Sequence, residues 1–97
     1  MTNEQPHRVQ LRRVRGWKLP PNTVAVTRPG RFGNPFRVGS PGAPTAAAAV
    51  ALFQQYLEGQ PALLAEARTR LRGKNVACFC PLNAPCHGDA LLQLANT

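Results

Sequence analysis

The chain has 97 residues, 43% of them hydrophobic, which is enough for one small domain with a modest core. Its longest apolar run, residues 46–53, is far shorter than the ~18 residues of a membrane-spanning helix, and its N-terminus lacks the apolar segment of a secretory signal, so we expect a cytoplasmic protein that does not bind membranes. Twelve lysines and arginines against four acidic residues give a net charge of +8, which makes an acidic partner the first expectation.

Two short strands are predicted in the first third of the chain, after a disordered tail at residues 1–7. HRVQLRRVRG (residues 7–16) alternates between apolar and polar side chains, which is typical of a half-exposed strand. Pro20 and Pro21 then break any regular element. TVAVT (residues 23–27) is rich in β-branched residues and predicts a short buried strand.

Two helices are predicted after a long loop at residues 28–44. Thr45 is a suitable N-cap for the helix AAAAVALFQQYLEG, which has apolar residues at helical spacing and ends at Gly59. Pro61 suits the first turn of a second helix, PALLAEARTRLRG, which ends at Gly73. A loop as long as residues 28–44 inside a small domain is usually functional when it is ordered.

A third strand, NVACF (residues 75–79), and a terminal helix, CHGDALLQLAN (residues 86–96), complete the chain. The order β-β-α-α-β-α predicts a single small α/β domain over residues 1–97, with helices packed on a short, partly parallel sheet. Ligands gather at the carboxyl ends of parallel strands. We therefore expect the loops after Thr27 and Phe79 to meet at one edge of the sheet.

The basic residues fall into two groups. Residues 1–37 hold eight of them against Glu4 alone, and residues 68–74 hold four more. Ten of the twelve are arginines, whose guanidinium is well shaped for phosphate. A merely solvated basic surface would explain the charge, but a phosphate-bearing partner, either a nucleotide or a nucleic acid, explains it better.

The glycine-rich loop RPGRFGNPF (residues 28–36) is a candidate phosphate-binding segment. Arg28 and Arg31 supply charge, Gly33 allows the backbone to approach an anion, and the Asn34 amide can contact a base or sugar. The loop lacks the residues of a Walker or dinucleotide-binding motif. A tight turn with packed phenylalanines is the structural alternative.

All three cysteines lie within nine residues of one another. Cys78 and Cys80 are two apart on the third strand, so their sulfur atoms should project from one face, and Cys86 and His87 follow at the start of the last helix. These four residues form a Cys3His set suited to Zn²⁺, which is the interpretation that we favour. Adjacent ligands and the absence of a C-x2-C pair are unusual for a zinc site.

Two other interpretations of this segment remain open. Cys86 or Cys80 would be an activated thiolate if His87 acts as a base, and Asp89 lies two residues further on; Cys86, His87 and Asp89 are therefore the candidate catalytic residues. A helix N-terminus would lower the pKa of a cysteine at position 86. Alternatively, the cysteines are simply buried apolar residues. A Cys78–Cys80 disulfide is disfavoured by its geometry.

The motifs in these segments resemble a small bacterial and phage family, domain of unknown function 4326, from about Val9 to Asn96. The resemblance implies two signatures, which comprise Arg28, Arg31, Gly33, Asn34 and Pro35 in the first and Cys78, Cys80, Cys86, His87 and Asp89 in the second. It implies no activity, because the family has none assigned. The phage setting typical of the family favours work on nucleotides or nucleic acids.

Three functions are compatible with these features. The first is a basic domain that binds a nucleotide or nucleic acid and carries a zinc site. The second is an enzyme that processes a nucleotide or nucleoside with Cys86 and His87, and the third is a phage factor that binds a host protein. The scarcity of carboxylates argues against a two-metal nuclease.

Overall fold

A three-stranded sheet and three helices make up the computed structural model, which describes residues 5–97. The elements are β1 (Arg8–Gln10), β2 (Thr23–Ala25), α1 (Ala46–Glu58), α2 (Pro61–Leu71), β3 (Asn75–Cys78) and α3 (His87–Ala95). This order confirms the predicted α/β fold, and all the strand pairs are parallel. None of the helices in residues 5–97 is long and apolar enough to cross a membrane.

The last strand of the chain forms the centre of the sheet. The spatial order is β1-β3-β2, with Val9 opposite Ala77 and Val24 opposite Val76. Strand β3 is buried from Val76 onward, because it has a neighbour on each side and helix α3 packed against it. The β2–α1–α2–β3 segment is therefore the crossover that a parallel pair requires.

The ends of the helices follow the predicted local signals. The Thr45 side-chain oxygen accepts a hydrogen bond from the Ala48 N–H at 3.1 Å, which confirms it as the N-cap of α1. Gly59 follows the last turn of this helix, and Pro61 opens α2. Gly73 has a φ of +77° in the turn that leads into β3, a conformation that favours glycine.

The strands are shorter than the sequence predicts. The alternating pattern of the sequence predicts longer edge strands. However, the central strand β3 has four residues, so it can pair only with equally short segments of β1 and β2. The last such contacts run from the Leu11 N–H to the Cys78 carbonyl and from the Val26 N–H to the Ala77 carbonyl, both at 2.9 Å. An edge strand cannot extend past the central strand that it pairs with, and the chain turns away on both sides.

The predicted N-terminal tail lies partly outside the described residues, which begin at Gln5. Within them, His7 is joined to β3: its N–H donates to the Asn75 side-chain oxygen at 3.0 Å, and its carbonyl accepts from the Val76 N–H at 3.2 Å. Residue 7 therefore extends the contacts of β1.

The hydrophobic core comprises residues of β3, of all three helices and of the loop after β2. Phe32 in this loop is only 5% exposed and belongs to the core, while Phe36 packs against the core from its edge. The packed phenylalanines fix the predicted glycine-rich loop in place. Its order is thus a consequence of apolar burial.

Two arginines of the second basic group hold helix α3 against α2. The Arg68 Nε donates to the Leu94 carbonyl at 3.2 Å, and Arg72 donates to the Ala95 and Thr97 carbonyls, both at 2.8 Å. Cations are favourable at the C-terminus of a helix, where carbonyl groups lack intrahelical partners. These two arginines, which we expected to meet phosphate, have a structural role.

We expect Arg72→Met to lower the free energy of unfolding by about 1–2 kcal/mol, because it removes two charge-assisted hydrogen bonds at the end of α3. Urea denaturation followed by circular dichroism measures this change. Lys74→Met, which removes an exposed charge two residues away, is the matched control and should change stability little. Equal effects of the two substitutions would contradict the assigned role of Arg72.

Candidate functional site

The loops after β2 and β3 meet at one edge of the sheet and enclose a cavity of about 320 Å³. Arg28, Asn34 and Phe36 of the first loop line it. Opposite them lie the three cysteines and His87, and the first turns of α1 close one side. The expected convergence of the two segments is confirmed, and its cause is the parallel sheet, in which β2 and β3 end at the same edge.

Three sulfur atoms form a compact group in the wall of this cavity. Cys78 ends β3, Cys80 follows two residues later, and Cys86 is the N-cap of α3. Their Sγ atoms all lie within 4.8 Å of one another, and those of Cys78 and Cys86 are 2.9 Å apart. Cys78 and Cys86 are buried, Cys80 is half-buried, and all three are free thiols. The group therefore has the donor atoms to hold a metal ion.

The charge of this group is concentrated on Cys86. A hydrogen bond from the Cys78 thiol lowers the pKa of Cys86 well below its ordinary value, with smaller effects from the Gly88 N–H and Cys80. The same bond and burial raise the pKa of Cys78, and burial raises the pKa of Cys80. Cys86 is therefore the first of the three thiols to ionise, and its sulfur accepts the hydrogen bond from Cys78.

His87 lies beside the cysteines with a fixed ring orientation. Its Nε2 is 2.7 Å from the Val26 carbonyl oxygen, and its ring packs edge-on against Phe53. Because a carbonyl can only accept, we assign the proton to Nε2, which leaves Nδ1 facing the Cys86 sulfur at 3.7 Å. In the described residues, the mutually close donor atoms are those of the cysteines, without His87.

Asp89 pairs with Arg8. Its side chain is 53% exposed, and Oδ1 lies 3.2 Å from the Nε of Arg8. Unlike Cys86 and His87, Asp89 is not among the residues that line the cavity. Spacing along the chain did not reveal this, because α3 begins at His87 and turns its first-turn side chains in different directions.

Arg8 is a residue of the site that sequence reasoning missed. Its guanidinium donates to three carbonyl groups of the loop between Cys80 and Cys86, those of Pro81 at 3.2 Å, Leu82 at 3.0 Å and Ala84 at 2.8 Å. Its side chain is only 8% exposed. The loop contains two prolines and has few backbone donors of its own, so Arg8 supplies the partners that hold its shape.

Gly88 allows this arrangement to be compact. A Cβ atom at this position would lie 3.1 Å from Val76 Cγ2 and 3.3 Å from Arg8 Cδ. The first turn of α3 therefore approaches both the central strand and the Arg8 side chain as closely as a residue without a side chain permits. This close approach places Cys86 against Cys78 at the end of β3.

The four predicted phosphate-binding residues do not act as one group. Arg28 lines the cavity, and its NH1 atom donates to the Asn34 carbonyl at 2.7 Å. Arg31 is exposed and pairs with Glu66, its Nε lying 3.0 Å from Oε1, so it points away from the cavity. Gly33 packs on Arg28, where a Cβ would lie 2.8 Å from the Arg28 Cα. Its role is therefore a close backbone approach within the loop.

Asn34 is buried, and its amide is engaged within the protein. Its Nδ2 donates to the Ala49 carbonyl at 3.2 Å, and its Oδ1 accepts from the Phe36 N–H at 2.9 Å. These bonds tie the loop to the first turn of α1. Asn34 also lines the cavity, and its amide keeps one further N–H and one further lone pair beyond these two bonds, so its contact with a base or sugar stays a prediction.

Arg13 was not singled out in the sequence but lies at the cavity. It lines the rim, with its guanidinium carbon 4.2 Å from the centre of the exposed Phe79 ring. This is a cation–π arrangement. Among the described residues, Arg13 and Arg28 are the arginines that line the cavity.

Most of the chain matches a known protein family. The family model described as "Domain of unknown function (DUF4326)" matches residues 9–97. The chain belongs to this family. No curated protein and no solved structure matches it. The matched region of this DUF4326 member includes both loops that line the cavity and all three cysteines.

In this DUF4326 member, we expect Arg8→Met to lower the free energy of unfolding by about 2–4 kcal/mol, because three loop carbonyls lose a charged donor. Chemical denaturation gives the change. Arg12→Met, at an exposed position four residues later, is the matched control and should be nearly neutral. A neutral effect of Arg8→Met would show that the loop holds its shape without this guanidinium.

In reduced protein stripped of metal with a chelator, we expect absorbance near ~240 nm to report about one thiolate per chain at about pH 7. Cys86→Ser should remove this signal and Cys80→Ser should retain it, since Cys86 has the lowered pKa. Because its pKa is lowered in the folded protein, Cys86 also contributes to the free energy of unfolding. This contribution is complete above the pKa of an unfolded cysteine and is lost as the pH falls through the folded-state pKa of Cys86. Ordinary titration of all three thiols would contradict the assignment.

Proposed function

We propose that this protein binds a nucleotide unit, free or within a nucleic acid, in the cavity and holds a zinc ion on its three cysteines. The proposal rests on one observation: a cavity of about 320 Å³ has arginines at its rim and three close thiols in its wall. A basic domain with a net charge of +8 is expected to attract phosphate.

The lining of the cavity suits the parts of a nucleotide. Small-molecule sites begin at about 300 Å³, so the volume is adequate for one nucleotide. Phe36, Ala49 and Val50 provide an apolar wall for a base. Arg28 is held by the Asn34 carbonyl through one nitrogen, which leaves other N–H groups for phosphate, and Arg13 adds a second charge.

The cysteines fit zinc after a small adjustment. In a tetrahedral site with Zn–S bonds near 2.3 Å, the sulfur atoms lie about 3.8 Å apart. The Cys78–Cys86 separation of 2.9 Å would then widen by about 0.9 Å, while the other sulfurs already lie within 4.8 Å. Bound zinc would join the end of β3 to the start of α3 and so stabilise the wall of the cavity.

A second function is favoured by the Cys86–His87 geometry. The Cys86 sulfur accepts from the Gly88 N–H at 3.4 Å and has His87 Nδ1 at 3.7 Å, in the wall of the same cavity. A nucleotide-processing enzyme would use this thiolate as the nucleophile and His87 as its acid or base. Binding to a host protein stays a prediction, because no feature of this surface specifically supports it.

Elemental analysis distinguishes zinc binding from thiol chemistry. We expect about one zinc per chain and protection of all three thiols from alkylation until a chelator is added. Cys78→Ser, Cys80→Ser and Cys86→Ser should each lose the metal, since each removes one of three sulfur ligands. Three freely reactive thiols and no metal in protein purified with zinc would reject the zinc site and favour the enzyme.

Titration with nucleoside 5′-monophosphates of all four bases, followed by NMR, tests the cavity. We expect shifts at the amides of Phe36, Cys80 and His87, and a roughly tenfold weaker affinity in Arg13→Met, which removes a rim charge. Arg15→Met removes the same charge outside the cavity and is the matched control. The absence of shifts at millimolar nucleotide would reject the cavity as a nucleotide site.

A further inference from the structure

We propose that the ligand is single-stranded nucleic acid, with one unpaired nucleotide in the cavity and the adjoining strand on a basic shelf. The basic shelf consists of Arg12, Arg13, Arg15, Lys18 and the exposed ring of Phe79. This inference rests on the proposed nucleotide-binding function and adds the class of partner, the path of its backbone and its strandedness.

The first argument is the location of the basic side chains that are not engaged by other groups of the protein. Half of the twelve basic side chains are engaged by carbonyl or carboxylate groups of the protein, namely Arg8, Arg28, Arg31, Arg68, Arg70 and Arg72. Of the six others, four belong to the basic shelf, and none of these has an ion-pair partner within residues 5–97. The unused charge is therefore concentrated in the loop between β1 and β2.

The second argument is the stacked pair at the rim. Phe79 is 42% exposed, although it follows directly on the buried central strand, and the Arg13 guanidinium covers one part of its ring at 4.2 Å. Both residues line the cavity, so the pair joins the basic shelf to the cavity. An exposed aromatic ring beside cations provides a stacking surface for a base, and this kind of contact is typical of single-strand binding.

The third argument excludes a duplex as the preferred ligand. Helices α1 and α3 contain no lysine or arginine, and both arginines of α2, Arg68 and Arg70, are engaged by the protein. None of these helices therefore presents a free basic face for a major groove. The bases of a duplex are stacked and paired, so they could enter the cavity or contact Phe79 only after the helix had opened.

Fluorescence polarisation with labelled oligothymidylates and oligouridylates of one to about eight nucleotides tests whether a bound strand extends from the cavity along the basic shelf. We expect affinity to increase with length and to exceed that for a duplex of equal length by at least about tenfold. A combined variant, Arg12→Ser with Arg15→Ser and Lys18→Ser, should reduce the slope of log affinity against log salt by about two units, since each phosphate contact contributes about 0.7. Lys74→Ser is the control for an exposed charge elsewhere.

The stacking surface is tested in the same assay. Phe79→Ala should weaken binding of the longest oligonucleotide about tenfold. Leu82→Ala, which truncates another exposed apolar residue outside the cavity, should leave it unchanged. The combined variant of the basic shelf should retain the wild-type affinity for nucleoside monophosphates, because its three positions do not line the cavity.

The outcomes separate the two proposals. Binding of monophosphates without any gain from longer single strands overturns this inference and leaves the proposed function standing. Equal affinity for duplex and single strand also overturns it. If neither monophosphates nor oligonucleotides bind, the proposed function falls as well.

Discussion

The buried Arg8 guanidinium is the contact on which the rest of the site depends. It lies on the first strand, yet it holds three carbonyl groups of the loop that separates Cys80 from Cys86, and it pairs with Asp89 at the start of α3. The loop has two prolines, which donate no backbone hydrogen bond, and the backbone bond within it runs from the Ala84 N–H to the Pro81 carbonyl at 3.0 Å. One charged side chain therefore connects β1 to the loop before α3 and to α3 itself, and so sets the position of Cys86 relative to Cys78.

The central position of β3 explains why one edge of the domain carries all the distinctive residues. Because β3 pairs in parallel with both neighbours, the segments that follow β2 and β3 leave the sheet on the same side. The glycine-rich loop and the cysteine segment thus enclose one cavity. The burial of Phe32 and the bonds of Asn34 to α1 and to its own loop keep the first of these loops ordered without a ligand.

Some basic side chains hold the protein's own structure together, while others have no ion-pair partner within residues 5–97. Only the contacts in the structure distinguish the two sets. Arg68 and Arg72 hold the end of α3, and Arg31 pairs with Glu66. Amino-acid composition counts these arginines in the same way as Arg13 or Arg15. Net charge is a sum over the chain, so it indicates an acidic partner without locating it. The same limit applies to Asn34 and Asp89, whose side chains are chemically suited to ligand or catalysis but are engaged by Ala49, Phe36 and Arg8.

The sequence by itself determined the six elements, their order and the meeting of the two loops, because helix caps, alternation and the parallel crossover are local or topological properties. It also brought Cys78, Cys80 and Cys86 together, since two positions on one strand and the next helix start are near neighbours in the chain. Only the tertiary structure decided the partners of Arg8, the ring orientation of His87 beside Cys86 and the pairing of Asp89 with Arg8. These depend on strand register and on how α3 packs, which are set by contacts between residues up to 76 positions apart.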